Sequence, residues 1–588
     1  MELTFPKAAG WTNGCFWDGG CDNGKVMTED FVANWVEHDL LNGPDPFAPQ
    51  GGKVPVPWPA AAGLGDQLGS GQYVGYSRRQ VCFIVAKALL GAGTQGYANG
   101  LTRILNKTVP HCGFPAPSVR RLDHAEPSAL TGEFGMALWN LLSACAADPS
   151  LEGGKQGPLL LVAKGKDRAE VVDVRQKGHE TPLAGAHLSA CRYDDGDAGP
   201  MTASGLETIS AEICTPPTNG APGRDFMTGG FGRVKGQAIQ DISAKFLGGY
   251  VFGNACGLGG GQDERLMTYF PEVFALTFFL SQDKDHPQLR EPAWVLGARM
   301  LMIGLDGPAR FDKRLELDAA APMTADLLQV DIDGKKYEMS SSTPFLAFMS
   351  ENQDFLDESA YWDGRRDFTD MQANMFLARQ NRHPLQRAVD ANTWYSFMYQ
   401  VRAWYSAVAL TSYSEAVRPA LTTVVKALGA GPFLSGLWFG DSQLGFLTMW
   451  IAHAIAAPTW GSQGLPLQYY IYADFTENPG NQCFVHSEDN CLACLARCEV
   501  DPLPPSSYWL PKYAFMDRDA NHTDSTHSTP QPCVLNSGKY CGKKGIEHML
   551  AAYGSSKASE LWAEVERVLG KGPQTEKQVF DLLLAESH

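Results

Sequence analysis

The sequence predicts an α/β fold with a central mixed sheet. Short apolar segments typical of strands alternate with longer segments whose apolar residues recur at helical spacing. Strands separated by helices indicate a sheet with helices packed on it. Two glycine-rich segments, each between a predicted strand and a predicted helix, also favour this class.

The first predicted helix is SRRQVCFIVAKALLG. Ser77 is its candidate N-cap, and apolar residues follow every three or four positions. Further helices are predicted in GEFGMALWNLLSACAAD, PEVFALTFFLS, ANTWYSFMYQVRAWYSAVAL, SQLGFLTMWIAHAIAA and ASELWAEVERVLG. Strands are predicted in LLLVA from Leu159 and in WVLGARMLMIG, LTTVVKAL and LQYYIYADF, and residues 239–251 form another apolar stretch.

Length and charge limit the class of protein. The chain has 588 residues, enough for two to four packed units, and a net charge of −17. So acidic a surface disfavours nonspecific nucleic-acid binding. No apolar run is long enough to span a bilayer, so no membrane partner is expected. The N-terminus does not have the pattern of a signal peptide, which favours cytoplasm or nucleus.

The cysteines leave their chemistry open. Of 14 cysteines, several crowd near the C-terminal end, where Cys483, His486, Cys491, Cys494 and Cys498 have spacings that suit zinc. Disulfides or free thiols are the favoured alternative, so no metal and no cofactor are predicted. This cysteine pattern and two glycosylation-type triplets also leave a secreted protein open.

Two glycine-rich segments have the arrangement that binds phosphate. One runs from Gly248 to Gly261, before a helix predicted to start near Gln262; the other runs from Gly429 to Gly440, before a helix predicted near Asp441 or Ser442. Backbone N–H groups at such a helix start point at an anion. The two could hold a diphosphate from both sides, although a glycine-rich loop is more often only a turn.

Adjacent carboxylates follow the first glycine segment. Asp263 and Glu264 could act in acid–base chemistry on a ligand held by that segment. The alternative is structural, because acidic residues in the first turn stabilise a helix through its dipole.

These segments together resemble the poly(ADP-ribose) glycohydrolase family, whose core is a macrodomain. QDISAKFLGGYVFG is similar to the family's strand and Gly-Gly-Gly pattern, and QDERLMTYFPE to its Gln-Glu-Glu and Pro-Glu pattern. GPFLSGLWFGD, LQYYIYADF and SRRQVCFIVAKALLG resemble its late loop, its closing strand and the first helix of its accessory domain. The five matches follow family order across about residues 71 to 480.

The resemblance implies a three-layer macrodomain-like fold and a set of ligand-binding residues. Glu264 would be the catalytic acid, with Asp263 on the ribose hydroxyls. Asp241 falls on an aspartate of the family pattern. The remaining positions predicted to bind substrate are Gln262, Gly248, Gly249, Tyr250, Gly436, Trp438 and Gly440. The implied ligand is ADP-ribose or poly(ADP-ribose).

Composition at the two ends of the chain and the resemblance between them predict four regions. An irregular N-terminal segment would span residues 1–70 and a mainly helical accessory region 71–230. The macrodomain-like ligand domain would span 231–480, and a Cys-rich extension ending in a helix 481–588. The sequence leaves the oligomeric state open.

Several positions depart from the family pattern. Asp263 is one methylene shorter than glutamate, and Tyr250 stands where the family has a third glycine. Ala244 and Pro432 replace asparagines, and residues 257–261 look inserted. Three hypotheses remain: a hydrolase of ADP-ribosyl O-glycosidic bonds, a macrodomain that binds ADP-ribose without cleaving it, and a structural protein that has lost the ligand.

Overall fold

The structure is a computed structural model of the chain. It describes residues 34–48, 68–90, 141–167, 170–171, 174, 180–192, 201–202, 236–243, 270–276, 291–299, 301–305, 314–317, 327–340, 345–349, 393–430, 442–462, 464–471, 542–570 and 579–585.

The chain divides into two compact units. The first comprises residues 1–166, 221–349 and 411–426, and the second comprises 167–220, 350–410 and 427–588. Helices and a mixed sheet occur in the described part, so the predicted α/β class is confirmed at this level. The narrower macrodomain-like description and the domain boundaries stay predictions.

The strands are short and spread along the chain. They are β1 (Tyr73–Ser77), β2 (Leu159–Lys164), β3 (Ser189–Arg192), β4 (Met201–Thr202), β5 (Gln237–Ser243), β6 (Ala293–Leu296), β7 (Met302–Leu305), β8 (Arg314–Leu317), β9 (Leu327–Ile332), β10 (Lys335–Ser340), β11 (Phe345–Met349), β12 (Ala427–Ala430) and β13 (Leu467–Ile471).

The α-helices of the described residues are α1 (Arg78–Leu90), α2 (Thr393–Val408), α3 (Arg418–Val424), α4 (Ser442–Ala456), α5 (Gly542–Tyr553), α6 (Ala558–Gly570) and α7 (Val579–Leu584). Residues 141–146 are also helical. Single 3₁₀ turns include Pro149–Gly154, Leu183–Ala186 and Pro271–Leu276.

A mixed sheet forms the centre of the first unit. Its strand order is β5-β11-β6-β2-β10-β9, and β1 pairs antiparallel with β2. The pairs β5–β11 and β2–β10 are parallel, whereas β6 is antiparallel to both of its neighbours. All six residues of β2 are buried, as its apolar run Leu159–Ala163 predicts, and the strand ends on the buried Lys164.

The second unit has its own run of parallel strands. β12 is parallel to β13, which is parallel to β3, and the short β4 closes this run in the antiparallel direction. Helix α4 is almost wholly apolar and buried, and it packs against α2. The helix predictions for both segments are confirmed.

Local sequence explains where α1 begins. The Ser77 Oγ accepts a hydrogen bond from the Gln80 backbone N–H at 3.2 Å, and the Gln80 side chain accepts one from the Ser77 N–H at 2.9 Å. This reciprocal capping box satisfies two N–H groups that a helix start leaves without partners. The predicted N-cap is therefore confirmed.

The strand predicted in LTTVVKAL is wrong for its first half. Helix α3 covers Arg418–Val424, and strand β12 starts only at Ala427. Pro419 occupies the first helical turn, where its fixed φ suits a helix. The hydroxyls of Thr422 and Thr423 donate to carbonyls one turn back, so these β-branched residues are accommodated in the helix.

The N-terminal region predicted to be irregular contains one ordered turn in its described part. Trp35–Leu41 forms a π-helical turn that packs against α1. Phe47 lies 6.1 Å from the Tyr76 ring and 6.2 Å from the Phe83 ring, measured between centroids. This part of the predicted wrapping segment therefore contributes apolar groups to the core of the first unit.

The C-terminal helices belong to the second unit. The predicted amphipathic helix is confirmed as α6, whose Trp562 ring lies 6.2 Å from that of Phe397 on α2. In α7, the Phe580 N–H donates to the Gln443 side chain at 2.8 Å. The last helices of the chain therefore pack on α2 and on the first turn of α4.

A disulfide joins two helical segments of the first unit. Cys82 on α1 bonds to Cys145, with 6.4 Å between their Cα atoms and a sequence separation of 63. Both cysteines are fully buried.

The described helices include none with the length and hydropathy of a membrane span.

We expect Gly297→Ala to lower the free energy of unfolding by about 3 kcal/mol or more. Gly297 has a φ of +84°, and a Cβ there would overlap the Leu159 carbonyl oxygen. Gly334→Ala is the matched control, because Gly334 has a φ of +74° with no atom within 4 Å of the new Cβ. The control should lose only about 1 kcal/mol. Urea unfolding measures both, and equal losses would contradict the packing at Gly297.

We also expect the double variant Cys82→Ser/Cys145→Ser to lose about 4 kcal/mol of unfolding free energy, because the bond closes a long loop of the unfolded chain. Thiol titration of the denatured, unreduced protein gives an independent check. Reaction of all 14 cysteines would contradict the disulfide.

Candidate functional site

Of the residues predicted to form the site, the structure describes Asp241. The others lie outside the described residues: Gly248, Gly249, Tyr250, Gln262, Asp263, Glu264, Gly436, Trp438 and Gly440. The cysteine cluster with Cys491 and Cys494 also lies outside them. The described part does contain the strand before each glycine segment and the helix after the second one.

Asp241 lies near the carboxyl end of a parallel strand. It sits on β5 opposite Ala347 of β11, and only 1% of its surface is exposed. β5 ends at Ser243, and the glycine segment begins at Gly248, after four further residues. Ligands of open α/β sheets bind at the carboxyl ends of the strands. The predicted position of the first glycine segment therefore suits ligand binding.

The second glycine segment also lies between a parallel strand and a helix. β12 ends at Ala430, and α4 begins at Ser442, one of the two starts that the sequence predicts. The predicted closing strand is confirmed over Leu467–Ile471 and runs parallel to β12. A fifteen-residue helix whose start follows a glycine segment can present free N–H groups to an anion.

The Pro-Glu pair that follows the predicted acid is part of a buried cluster of four charges. The charge cluster, as we call it, consists of Arg78, Asp148, Glu272 and Arg299, each at most 5% exposed. Arg299 donates to Glu272 from its backbone N–H at 2.8 Å and from Nε at 2.9 Å. Arg78 Nε lies 3.3 Å from the same carboxylate.

Asp148 completes the charge cluster. Its Oδ2 accepts hydrogen bonds from Arg78 Nη1 at 3.0 Å and from Arg299 Nη1 at 3.2 Å. Its other oxygen caps the turn Pro149–Gly154 by accepting from the N–H and hydroxyl of Ser150. Two cations therefore face two anions, and the cluster is electrically neutral.

The charges shift the pKa of Asp148 in the direction that keeps it ionised. Burial alone raises this pKa, but Arg299, Arg78 and the Ser150 hydrogen bonds outweigh burial and lower it overall. Burial lowers the pKa of Arg78, and Arg299 adds to this by repulsion. An arginine stays protonated all the same. The ionised Asp148 beside Arg78 and Arg299 therefore suits anchoring rather than acid–base chemistry.

Another buried cation, separate from the charge cluster, lies at the end of β2. The Lys164 ammonium donates to the Leu68 carbonyl at 2.6 Å and lies 2.7 Å from the Glu291 carboxylate. Lys164 therefore connects Leu68, at the start of the described segment 68–90, with Glu291, just before β6.

No group of three or more His, Cys, Asp or Glu residues in the described part could hold a metal ion.

A buried histidine fixes α4 in the second unit. His453 is 1% exposed, its Nε2 bonds the Leu465 carbonyl, and its Nδ1 accepts from the Trp404 indole N–H at 3.5 Å. Burial, together with repulsion from His187, lowers the pKa of His453 to about 4 although the Leu465 bond opposes this shift. The imidazole is therefore neutral and connects α4 with α2 and with the residues before β13.

Sequence reasoning missed both the charge cluster and the buried His453. The members of the charge cluster are far apart in the chain, so no local pattern reveals it. His453 carries a signal, because a lone histidine inside an otherwise apolar helix needs partners for both nitrogens.

Comparison with known proteins adds no family. The chain matches no protein-family model and shows no significant similarity to a curated protein. The resemblance to poly(ADP-ribose) glycohydrolases therefore stays an expectation from the five sequence segments.

We expect the pKa of His453 to make the second unit sensitive to mild acid. Above pH 6.5 the histidine is neutral in both states, so its contribution to stability is complete. Between about pH 6.5 and pH 4, the unfolded chain binds a proton that the folded protein excludes. The free energy of unfolding should therefore fall by up to about 3 kcal/mol through this group.

The variant His453→Gln should lose this part of the pH dependence, measured by urea unfolding at pH 7 and pH 4.5. His548→Gln is the matched control, since His548 is exposed on α5 of the same unit. Identical pH dependences in wild type and His453→Gln would overturn the assignment.

Proposed function

We propose that this protein is a poly(ADP-ribose) glycohydrolase-like hydrolase that cleaves ribose–ribose O-glycosidic bonds in ADP-ribose polymers or conjugates. The proposal rests on one segment of the sequence in which positions that match the family's motifs occur in the family's order. These positions are Asp241, Gly248-Gly249, Gln262-Asp263-Glu264 and Pro271-Glu272. A macrodomain-like arrangement of the ligand-binding region and a helical accessory region form part of the same proposal.

The described structure at both ends of that segment supports the proposal. At one end, β5 is a buried strand with a parallel neighbour, which is the setting in which a following glycine loop binds phosphate. At the other end, Glu272 is held by Arg299 and Arg78. A segment fixed at both ends can hold a catalytic group in a constant position.

The proposed mechanism uses one carboxyl group twice. Glu264 protonates the leaving 2′-oxygen as the bond to the anomeric carbon breaks through an oxocarbenium-like transition state. The resulting carboxylate then accepts a proton from water as that water attacks the anomeric carbon. Asp263 binds the ribose hydroxyls, and backbone N–H groups at Gly248 and Gly249 bind the diphosphate.

The departures from the family pattern favour a second candidate. Tyr250 adds a side chain where the family has glycine, and Ala244 removes an amide. A macrodomain with these changes would bind ADP-ribose and leave the polymer intact. A structural protein that has lost the ligand is the third candidate.

We expect wild-type protein incubated with poly(ADP-ribose) to release ADP-ribose, detected by chromatography. Glu264→Gln should reduce the rate by about 10³-fold, because the amide cannot donate or accept the proton. Glu338→Gln is the control, since Glu338 is an exposed glutamate on β10 of the same unit.

Calorimetry separates the three candidates. Heat of ADP-ribose binding without product from the polymer would favour the binding module. No heat and no product would favour the structural protein. Product formation at an unchanged rate in Glu264→Gln would remove Glu264 from the mechanism.

A further inference from the structure

The segment that carries the proposed acid is followed immediately by an anchored turn. Glu272 lies eight residues after Glu264, in the turn Pro271–Leu276. Eight residues of sequence separate the two carboxyl groups, so this turn is the first described element after the proposed acid. We expect a shift of the anchored turn to be transmitted through this short stretch of chain to Glu264.

The anchor itself comes from three other parts of the first unit. Glu272 accepts hydrogen bonds from Arg299, which lies in the turn after β6. It also forms an ion pair with Arg78, the first residue of α1. Asp148 binds both arginines and fixes their orientation. Each charge is buried, so water cannot replace a lost partner.

The disulfide ties two of these parts together a second time. Arg78 and Cys82 are one turn apart on α1, and Cys145 and Asp148 are three residues apart. The Cys82–Cys145 bond and the Arg78–Asp148 ion pair therefore cross-link the same two segments. This double link holds Arg78 at a constant distance from Asp148 and so stabilises the donors that hold Glu272.

We propose that Glu272 is a positioning residue for Glu264, held by Arg299 and Arg78 in the charge cluster. This inference rests on the proposed function. Glu272 is 1% exposed and both of its carboxylate oxygens accept from Arg299, so in this proposal it acts through position and not by contact with substrate. Its effect on the reaction passes through the placement of the segment 262–270, because displacement of a catalytic group by about 1 Å can lower a rate about 100-fold.

The test compares Glu272→Gln with the double variant Glu272→Gln/Arg299→Gln. The single variant leaves the charge cluster with one extra positive charge, whereas the double variant is again neutral because Arg78 and Asp148 remain. We expect the double variant to recover much of the lost thermal stability without recovering the position of the acid. Glu291→Gln is the control, because it removes the half-buried partner of a separate ion pair, Lys164–Glu291.

Two measurements are made on each variant. In the hydrolysis assay, kcat should fall roughly 10- to 100-fold in both Glu272 variants. KM and the pH profile should stay unchanged, since Glu272 neither binds substrate nor transfers a proton. In hydrogen exchange, peptides covering residues 262–276 should exchange about 10-fold faster in both variants, with the rest of the first unit unchanged in the double variant.

The outcomes separate the inference from the proposed function. If wild type releases no product, the proposed function fails, and hydrogen exchange still decides whether Glu272 holds the segment. Full recovery of kcat and of exchange protection in the double variant would show a purely structural role and overturn the inference. An equal loss of protection at 262–276 in Glu291→Gln would overturn it as well.

Discussion

The two arginines and two carboxylates of the charge cluster are buried together in the first unit. The placement of the segments around the proposed site depends on their ion pairs. Burial of a charge is tolerated only when it is paired and hydrogen-bonded. Arg78, Asp148, Glu272 and Arg299 are therefore brought together from four separate parts of the chain. This requirement fixes the start of α1, the capped turn after Asp148, the Pro-Glu turn and the turn after β6.

In the second unit, hydrogen bonds between uncharged buried groups hold the helices in place. His453 bonds to Trp404 and to the Leu465 carbonyl, so α4 is held against α2 and against the residues that precede β13. Gln443, at the first turn of α4, binds the backbone of α7. Helix α4 follows the second glycine segment, and the turn Pro271–Leu276 comes ten residues after the first one. Both are held by buried polar contacts from distant residues, which suits a site whose geometry has to be constant.

Elements specified by nearby residues could be predicted from the sequence. The capping box at Ser77, the apolar strand β2 and the start of α4 at Ser442 each follow a local pattern. Helix α3 was predicted as a strand because its threonines and valines favour strands, whereas Pro419 and the threonine hydroxyl bonds stabilise the helix. The β9–β10 hairpin was missed although Asp333-Gly334 is a strong turn signal. The charge cluster could not be predicted, because its members share no local spacing. Of the predicted site, Asp241 is buried on β5, the strand that precedes the first glycine segment in sequence, and the role of Glu264 stays a proposal.

The most direct measurement of the central claim is a crystal structure of the protein with ADP-ribose bound. The account predicts the diphosphate against the backbone N–H groups of Gly248 and Gly249. It also predicts the Glu264 carboxyl group within hydrogen-bonding distance of a ribose oxygen. A ligand bound elsewhere, or a Glu264 side chain directed away from the sugar, would contradict the account.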